Sequence, residues 1–188
     1  MYTNRRRPTP AWLSTATAIA LAIPLAIAVP ADAASAQSDR GPSDATIVAI
    51  FDAANTADME TGQLASERAR SSEVKNYGAM LVRDHRQVRQ LGRDLARKLG
   101  VTPTPPADDQ GARDHAAAMR RLREVPAAEF DRAFLQHEVA FHKAVLDAMN
   151  STLIPAIDNQ ELKDLVEKVA PAFQAHMMAA QALLDRMQ

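Results

Sequence analysis

Residues 73–100 read EVKNYGAMLVRDHRQVRQLGRDLARKLG, and their periodicity decides the fold class. Val74, Tyr77, Gly78, Leu81, Val88, Leu95 and Leu99 form one stripe at helical spacing, the signature of an amphipathic helix. Arg83, Arg86, Arg89, Arg93 and Arg97 fall on other faces. His85 lies four residues after Leu81 and three before Val88, in the middle of the apolar stripe. Ser71-Ser72 breaks the preceding segment and caps this one, because a serine hydroxyl accepts from free first-turn N–H groups. Gly100 stops it as a left-handed C-terminal residue.

Three further stretches repeat the pattern. Upstream, a helix from Ser43 or Asp44 to about Arg70 carries Ile47, Ile50, Phe51, Ala54, Ala57, Leu64 and Ala65 on one face. Glu60 is three after Ala57 and four before Leu64, so it is expected on that face too. Gly62 marks a weak point or a close helix approach. Downstream, Pro126 suits the first turn of a helix bearing Phe130, Phe134, Phe141, Val145 and Met149, with Asn150-Ser151 ending it. Glu138 follows Phe134 by four, and His142 follows Glu138 by four. A capping box at Asp158-Asn159-Gln160-Glu161 opens the last helix, through Leu162, Leu165, Val169, Phe173, Met177, Ala180 and Leu183. His176 shares its stripe, and Pro171 inside it predicts a kink.

With six glycines and no alternating strand-like run, the chain reads as all-α. The Pro-rich segment 100–110, GVTPTPPADDQ, is expected to carry the chain across the bundle. A short extra helix, Ala112 to Arg123, follows it with Met119 and Leu122 inward.

Residues 1–36 read as a secretory signal. Arg5-Arg6-Arg7 is the positive region, Ala11 to Val29 the apolar run, and Ala31-Asp32-Ala33 and Ala34-Ser35-Ala36 are small-residue cleavage patterns. Cleavage near Ala36 would leave a polar lead-in, 37–43, and a bundle domain, 44–187, periplasmic or secreted and without a membrane span. A retained anchor is the alternative. The twin arginines are followed by Pro8 and Pro10, a weak match to folded-state export. There is no cysteine, so helix packing must stabilise the exported chain without disulfides. The formal charge is −1 and the chain without its leader is weakly acidic, which gives no footprint for nucleic acid. Glycine-rich phosphate loops and nucleophile elbows are missing from the sequence.

Four long helices thus each offer inward polar groups. Away from water such groups must be paired or neutralised. A divalent transition metal (Fe, Zn, Cu or Mn) bound by Glu60, His85, Glu138, His142 and His176 would do this. A metal-free hydrogen-bond network that fixes register would also do it. Helical rise permits one polar layer, with these groups within about a turn of each other. The familiar di-iron bundle needs Glu-x-x-His on two helices. Here Val82 precedes His85 by three and Val139 precedes His142 by three, against an oxygen-activating pair. His137 is one residue off its face and His115, on the short extra helix, is expected at the surface or partly buried, so both make poorer candidates. The eight methionines are expected as core filler rather than a copper(I) site.

Several runs together resemble a known family: Asp58-Met59-Glu60-Thr61-Gly62-Gln63-Leu64-Ala65, Ser72-Glu73-Val74-Lys75, Met80-Leu81-Val82-Arg83-Asp84-His85, Leu95-Ala96-Arg97-Lys98-Leu99-Gly100-Val101 and Glu129-Phe130-Asp131-Arg132-Ala133-Phe134, with the later His142, Pro171 and His176. This combination is similar to the bacterial family called domain of unknown function 4142, over about residues 43–185. The resemblance implies an exported protein with a ferritin-like up-down four-helix bundle. It implies no activity. Its recurrent acid and histidines match Glu60, His85, His142 and His176, while Glu138 has no assigned place in it. Two functions follow as expectations: a metal-holding bundle for storage, buffering or envelope stress protection, or a structural bundle that docks a protein or envelope partner. An oxidoreductase is a third, weaker option.

Overall fold

The computed structural model describes residues 41–187, and the expected leader, 1–36, lies outside them. The described residues form five helices: α1 (Asp44–Arg68), α2 (Ser72–Leu99), α3 (Gln110–Glu124), α4 (Phe130–Ala148) and α5 (Gln160–Asp185). None is long and apolar enough to cross a membrane.

Local chemistry sets most of the helix ends. The Ser43 hydroxyl accepts from Thr46 N–H at 3.3 Å and caps α1. The Ser71 hydroxyl accepts from Glu73 N–H at 3.2 Å and caps α2. Gly100, at φ 66°, takes the left-handed conformation that closes α2. Asn159 caps α5 through Leu162 N–H at 3.1 Å. Two expectations are corrected. Pro126 opens a turn rather than a helix, its carbonyl accepting from Glu129 N–H at 2.9 Å, and α4 begins at Phe130. Asn150-Ser151 does not end the helix. The chain widens into a π-helical turn, Met149–Leu153, and one more turn, Ile154–Ala156. This buries both Met149 and Leu153, while the Ser151 hydroxyl is satisfied by Asp147 O at 2.7 Å. Pro171 is exposed within α5, which continues through it.

Side-chain bridges fix the order of directions. Asp44, at the start of α1, accepts from Asp158 N–H and Asn159 N–H at 3.0 and 2.9 Å, so α5 starts at that same end. Thr104 N–H bonds Ala45 O there, placing the end of α2 beside them. At the other end Asp131 of α4 accepts from Arg70 N–H and Ser71 N–H at 2.9 and 2.8 Å. Helices α1 and α5 therefore run one way, and α2 and α4 the other. The 100–109 segment and α3 cross between the two hairpins. Arg68 locks that crossover by donating to the carbonyls of Leu122, Arg123 and Val125 at the end of α3, over the Phe130 ring. This is the ferritin-like bundle that the sequence resemblance implies, with the crossover expected from the Pro-rich segment.

Helices α1 and α2 meet at two glycines. A Cβ on Gly62 would stand 2.6 Å from Gly78 O, and one on Gly78 would stand 2.6 Å from Gly62 O. Gly62 is thus the close-approach point. The apolar core forms two clusters. One holds Leu64, Tyr77, Leu81, Phe130, Phe134, Leu135 and Ala180. The other holds Ile47, Phe51, Met149, Leu153, Leu162, Val166 and Phe173. Between them along every long helix sit the buried polar residues Asn55, Asp58, Thr61, His85, Glu138, His142 and His176.

Candidate metal centre

Each long helix sends polar side chains into this middle layer. Helix α1 supplies Asn55, Asp58 and Thr61, which lie three apart and so share a face with Phe51 and Ala65. Helix α2 supplies His85, α4 supplies Glu138 and His142 one turn apart, and α5 supplies His176.

The hydrogen bonds around the imidazoles assign their tautomers. Asn55 Nδ2 donates to Phe51 O at 2.8 Å, so its Oδ1 is left to accept from His85 Nδ1–H at 2.9 Å. The Glu138 carbonyl accepts from His142 Nδ1–H at 3.0 Å. Asp84 Oδ2 accepts from His176 Nε2–H at 3.2 Å. Every imidazole proton therefore points outward, and three lone pairs converge: His85 Nε2, His142 Nε2 and His176 Nδ1. Donor atoms of these three residues lie within 4.8 Å of one another. His85 Nε2 and His176 Nδ1 are 3.1 Å apart with no proton between them. Two nitrogens on one tetrahedral ion with ~2.05 Å bonds would stand roughly 3.3 Å apart.

The carboxyls face the same space. Asp58 Oδ2 is 3.5 Å from His85 Nε2, and Asp58 Oδ1 is 3.8 Å from His142 Nε2. These separations are too long for hydrogen bonds. Among the described residues, both oxygens of Asp58, both of Glu138 and His142 Nε2 are buried with no hydrogen-bond partner. Asp58, Glu138 and His142 form a second set of candidate ligands, sharing His142 with the first. Burial, reinforced by the Glu138 carboxylate, holds the Asp58 carboxyl well above the ordinary range. Burial pushes Glu138 up to about 8, against the pull of Thr61 and Asp58. Burial drives His142 down to about 4, with the Glu138 carbonyl opposing and His176 adding to the fall. His85 is lowered by burial and by the other two imidazoles. His176 is lowered by burial despite its bond to Asp84. Burial thus favours the uncharged form of these carboxyls and rings, and five of their buried polar atoms have no hydrogen-bond partner.

Four of the five expected residues, His85, Glu138, His142 and His176, come together. Glu60 does not. It is exposed on α1, and its Oε2 bonds His115 Nε2 at 2.8 Å on α3. The fourth helix contributes Asp58 instead, two residues earlier and so roughly 200° round the helix. The alanines of α1 blurred the stripe and moved its expected centre off Phe51, Asp58 and Ala65. The usable signal was Asn55-x-x-Asp58-x-x-Thr61, a polar line ending beside Gly62. Asn55 and Asp84, which orient His85 and His176, were also missed. His115 is partly buried, as expected. His137 is half-buried beside the Phe141 ring and falls in neither ligand set.

Residues 28–183 match the family described as Domain of unknown function (DUF4142). Comparison with curated proteins gives no match. Among solved structures, the chain is similar to one described as a crystal structure of a DUF305 fragment from Deinococcus radiodurans. The two share 16% identity at a TM-score of 0.66, over 76% of this chain and 95% of that one. That likeness is one of fold.

Proposed function

The chain belongs to the DUF4142 family, and from that premise we propose that it is an exported bundle whose buried layer holds one divalent transition metal. His85, His142, His176 and Asp58 would be its ligands, with Glu138 beside them. One observation carries the reading: three outward-donating imidazoles turn their lone pairs onto a space where both oxygens of Asp58 and both of Glu138 are buried with no hydrogen-bond partner. A cation satisfies them all at once, whereas burying them unpaired costs about 1–3 kcal/mol each.

The donor set also suits a particular class of ion. Two carboxylates neutralise a dication, which a buried site of low polarity requires. Imidazole and carboxylate favour Fe, Mn, Zn or Cu(II) over soft copper(I). Met119 and Met149 sit in the two apolar clusters and Met178 is exposed. The ion, when bound, would supply positive charge and a fixed coordination geometry. The protein's part is to hold the rings in one tautomer and to keep water out. Val82 and Val139 stand where a di-iron site needs carboxylates, so the role we assign is storage or buffering in the envelope rather than oxygen chemistry. Export rests on the leader-like residues 1–36.

The competing reading is a metal-free network that fixes register, and the bonds of His85 to Asn55 and of His176 to Asp84 favour it. It leaves Asp58 and Glu138 unexplained. Elemental analysis separates the two. Protein purified without chelator or His tag should carry near-stoichiometric metal that a His85→Ala/His142→Ala/His176→Ala variant lacks. Metal at a hundred times Kd should also raise stability by about 2.7 kcal/mol. Background metal in both proteins, with no shift in melting temperature from Zn, Cu, Fe or Mn, would refute the metal reading.

A further inference from the structure

We propose that Asp84 is the outer station through which a cation enters the buried layer, with His176 the ligand that passes it inward. This rests on the metal-site reading above.

The layer is sealed almost everywhere. Relative exposure is 0% for Glu138 and His142, 1% for Asp58 and His85, and 6% for His176. The Phe173 ring covers His85 and His142 at centroid distances of 5.0 and 5.9 Å. The apolar clusters close the layer along the bundle axis in both directions. A dication cannot shed its water and cross such walls, because nothing there replaces its hydration. One line of polar atoms does reach solvent. The Asp84 side chain is 33% exposed, its Oδ2 accepts from His176 Nε2–H, and His176 Nδ1 lies 3.1 Å from His85 Nε2. An arriving ion therefore meets a carboxylate first, then a ring that turns about its own side-chain bonds, then the fixed donors.

The arrangement carries its own restraint. Arg83, largely in solvent, bonds the other Asp84 oxygen at 2.9 Å. Its guanidinium competes for the carboxylate that the ion would use. Asp84 and Arg83 should thus act on loading in opposite directions. A residue that only positions His176 would instead change how tightly the ion is held.

Stopped-flow absorbance of Co²⁺ binding to chelator-stripped protein tests this. Asp84→Asn keeps an acceptor for His176 but removes the charge. It should slow loading about tenfold and slow release into excess chelator by a similar factor, leaving Kd within about threefold. Arg83→Ala should speed loading several-fold. Asp84→Asn and Arg83→Ala loading at the wild-type rate would overturn the entrance while leaving the metal site standing. A Kd weakened by Asp84→Asn through faster release alone would also overturn it, making Asp84 a positioning residue. Wild-type protein that shows no Co²⁺ spectrum would overturn the site and its entrance together.

Discussion

Asp58 and Glu60 differ by one methylene and two positions, and the fold gives them opposite surroundings. Asp58 is buried without a donor, whereas Glu60 is exposed and paired with His115. Asp58→Asn should therefore weaken metal binding by at least about a hundredfold, since even outer partners of a ligand are worth 10–100-fold. Glu60→Gln should leave it within about twofold. A titration with Zn²⁺ and a competing indicator reads both, and the reverse ranking would return Glu60 to the site. The same layer sets a pH signature for the metal-free protein. Glu138 titrates near 8 when folded, against 4.5 unfolded, so between those values the folded state binds the extra proton. Stability then falls as pH rises through that window. The lowered histidines act oppositely below 6.5, where the unfolded chain gains protons that the folded rings refuse. Metal-free protein should melt highest near pH 6.5 and progressively lower towards pH 8. Glu138→Gln should flatten that upper decline, and a melting temperature that climbs from pH 6.5 to 8 in wild type would contradict the assignment.

Elements were legible where chemistry is concentrated at one position. Ser43, Ser71, Gly100 and Asn159 each mark a boundary through a single hydrogen bond or a single backbone conformation. The π-helical turn was not legible, because Asn150 and Ser151 look like a stop and only the burial of Met149 and Leu153 keeps the chain coiled. In α2 the early stripe holds through Val74, Tyr77, Leu81 and His85, then moves to Gly92 and Ala96 rather than Leu95 and Leu99. A long helix of 3.6 residues per turn drifts away from any stripe read at fixed intervals. Gly92 could not be foreseen either, since its role is to leave room for the Phe51 ring, 3.0 Å from where a Cβ would stand. At the α1–α2 crossing, Gly62→Ala or Gly78→Ala forces a methyl onto a carbonyl that cannot swing aside. Each should cost about 1–3 kcal/mol in chemical denaturation, despite alanine's better helix propensity. An unchanged midpoint would mean that the helices cross elsewhere.

On the scale of the whole molecule, the bundle was readable because four stripes of similar length demand one another. The candidate site was readable only in part, since facing residues on four helices are related by packing and not by spacing along the chain. The middle layer is also the costliest part of the core. In metal-free protein Glu138→Met should raise stability by about 1–3 kcal/mol and, in the same preparation, reduce the stabilisation that metal confers. A destabilised variant would show that Glu138 is satisfied in the native fold.

The division of the core into two apolar halves has a consequence for how long the molecule lasts. Its weakest cross-section is also where a cation would bind, so resistance to proteolysis would track the free metal around it. In a metal-poor medium the chain would be cleared quickly and its constituents recycled. In a metal-rich one it would accumulate, with abundance rising through survival and without any change in synthesis.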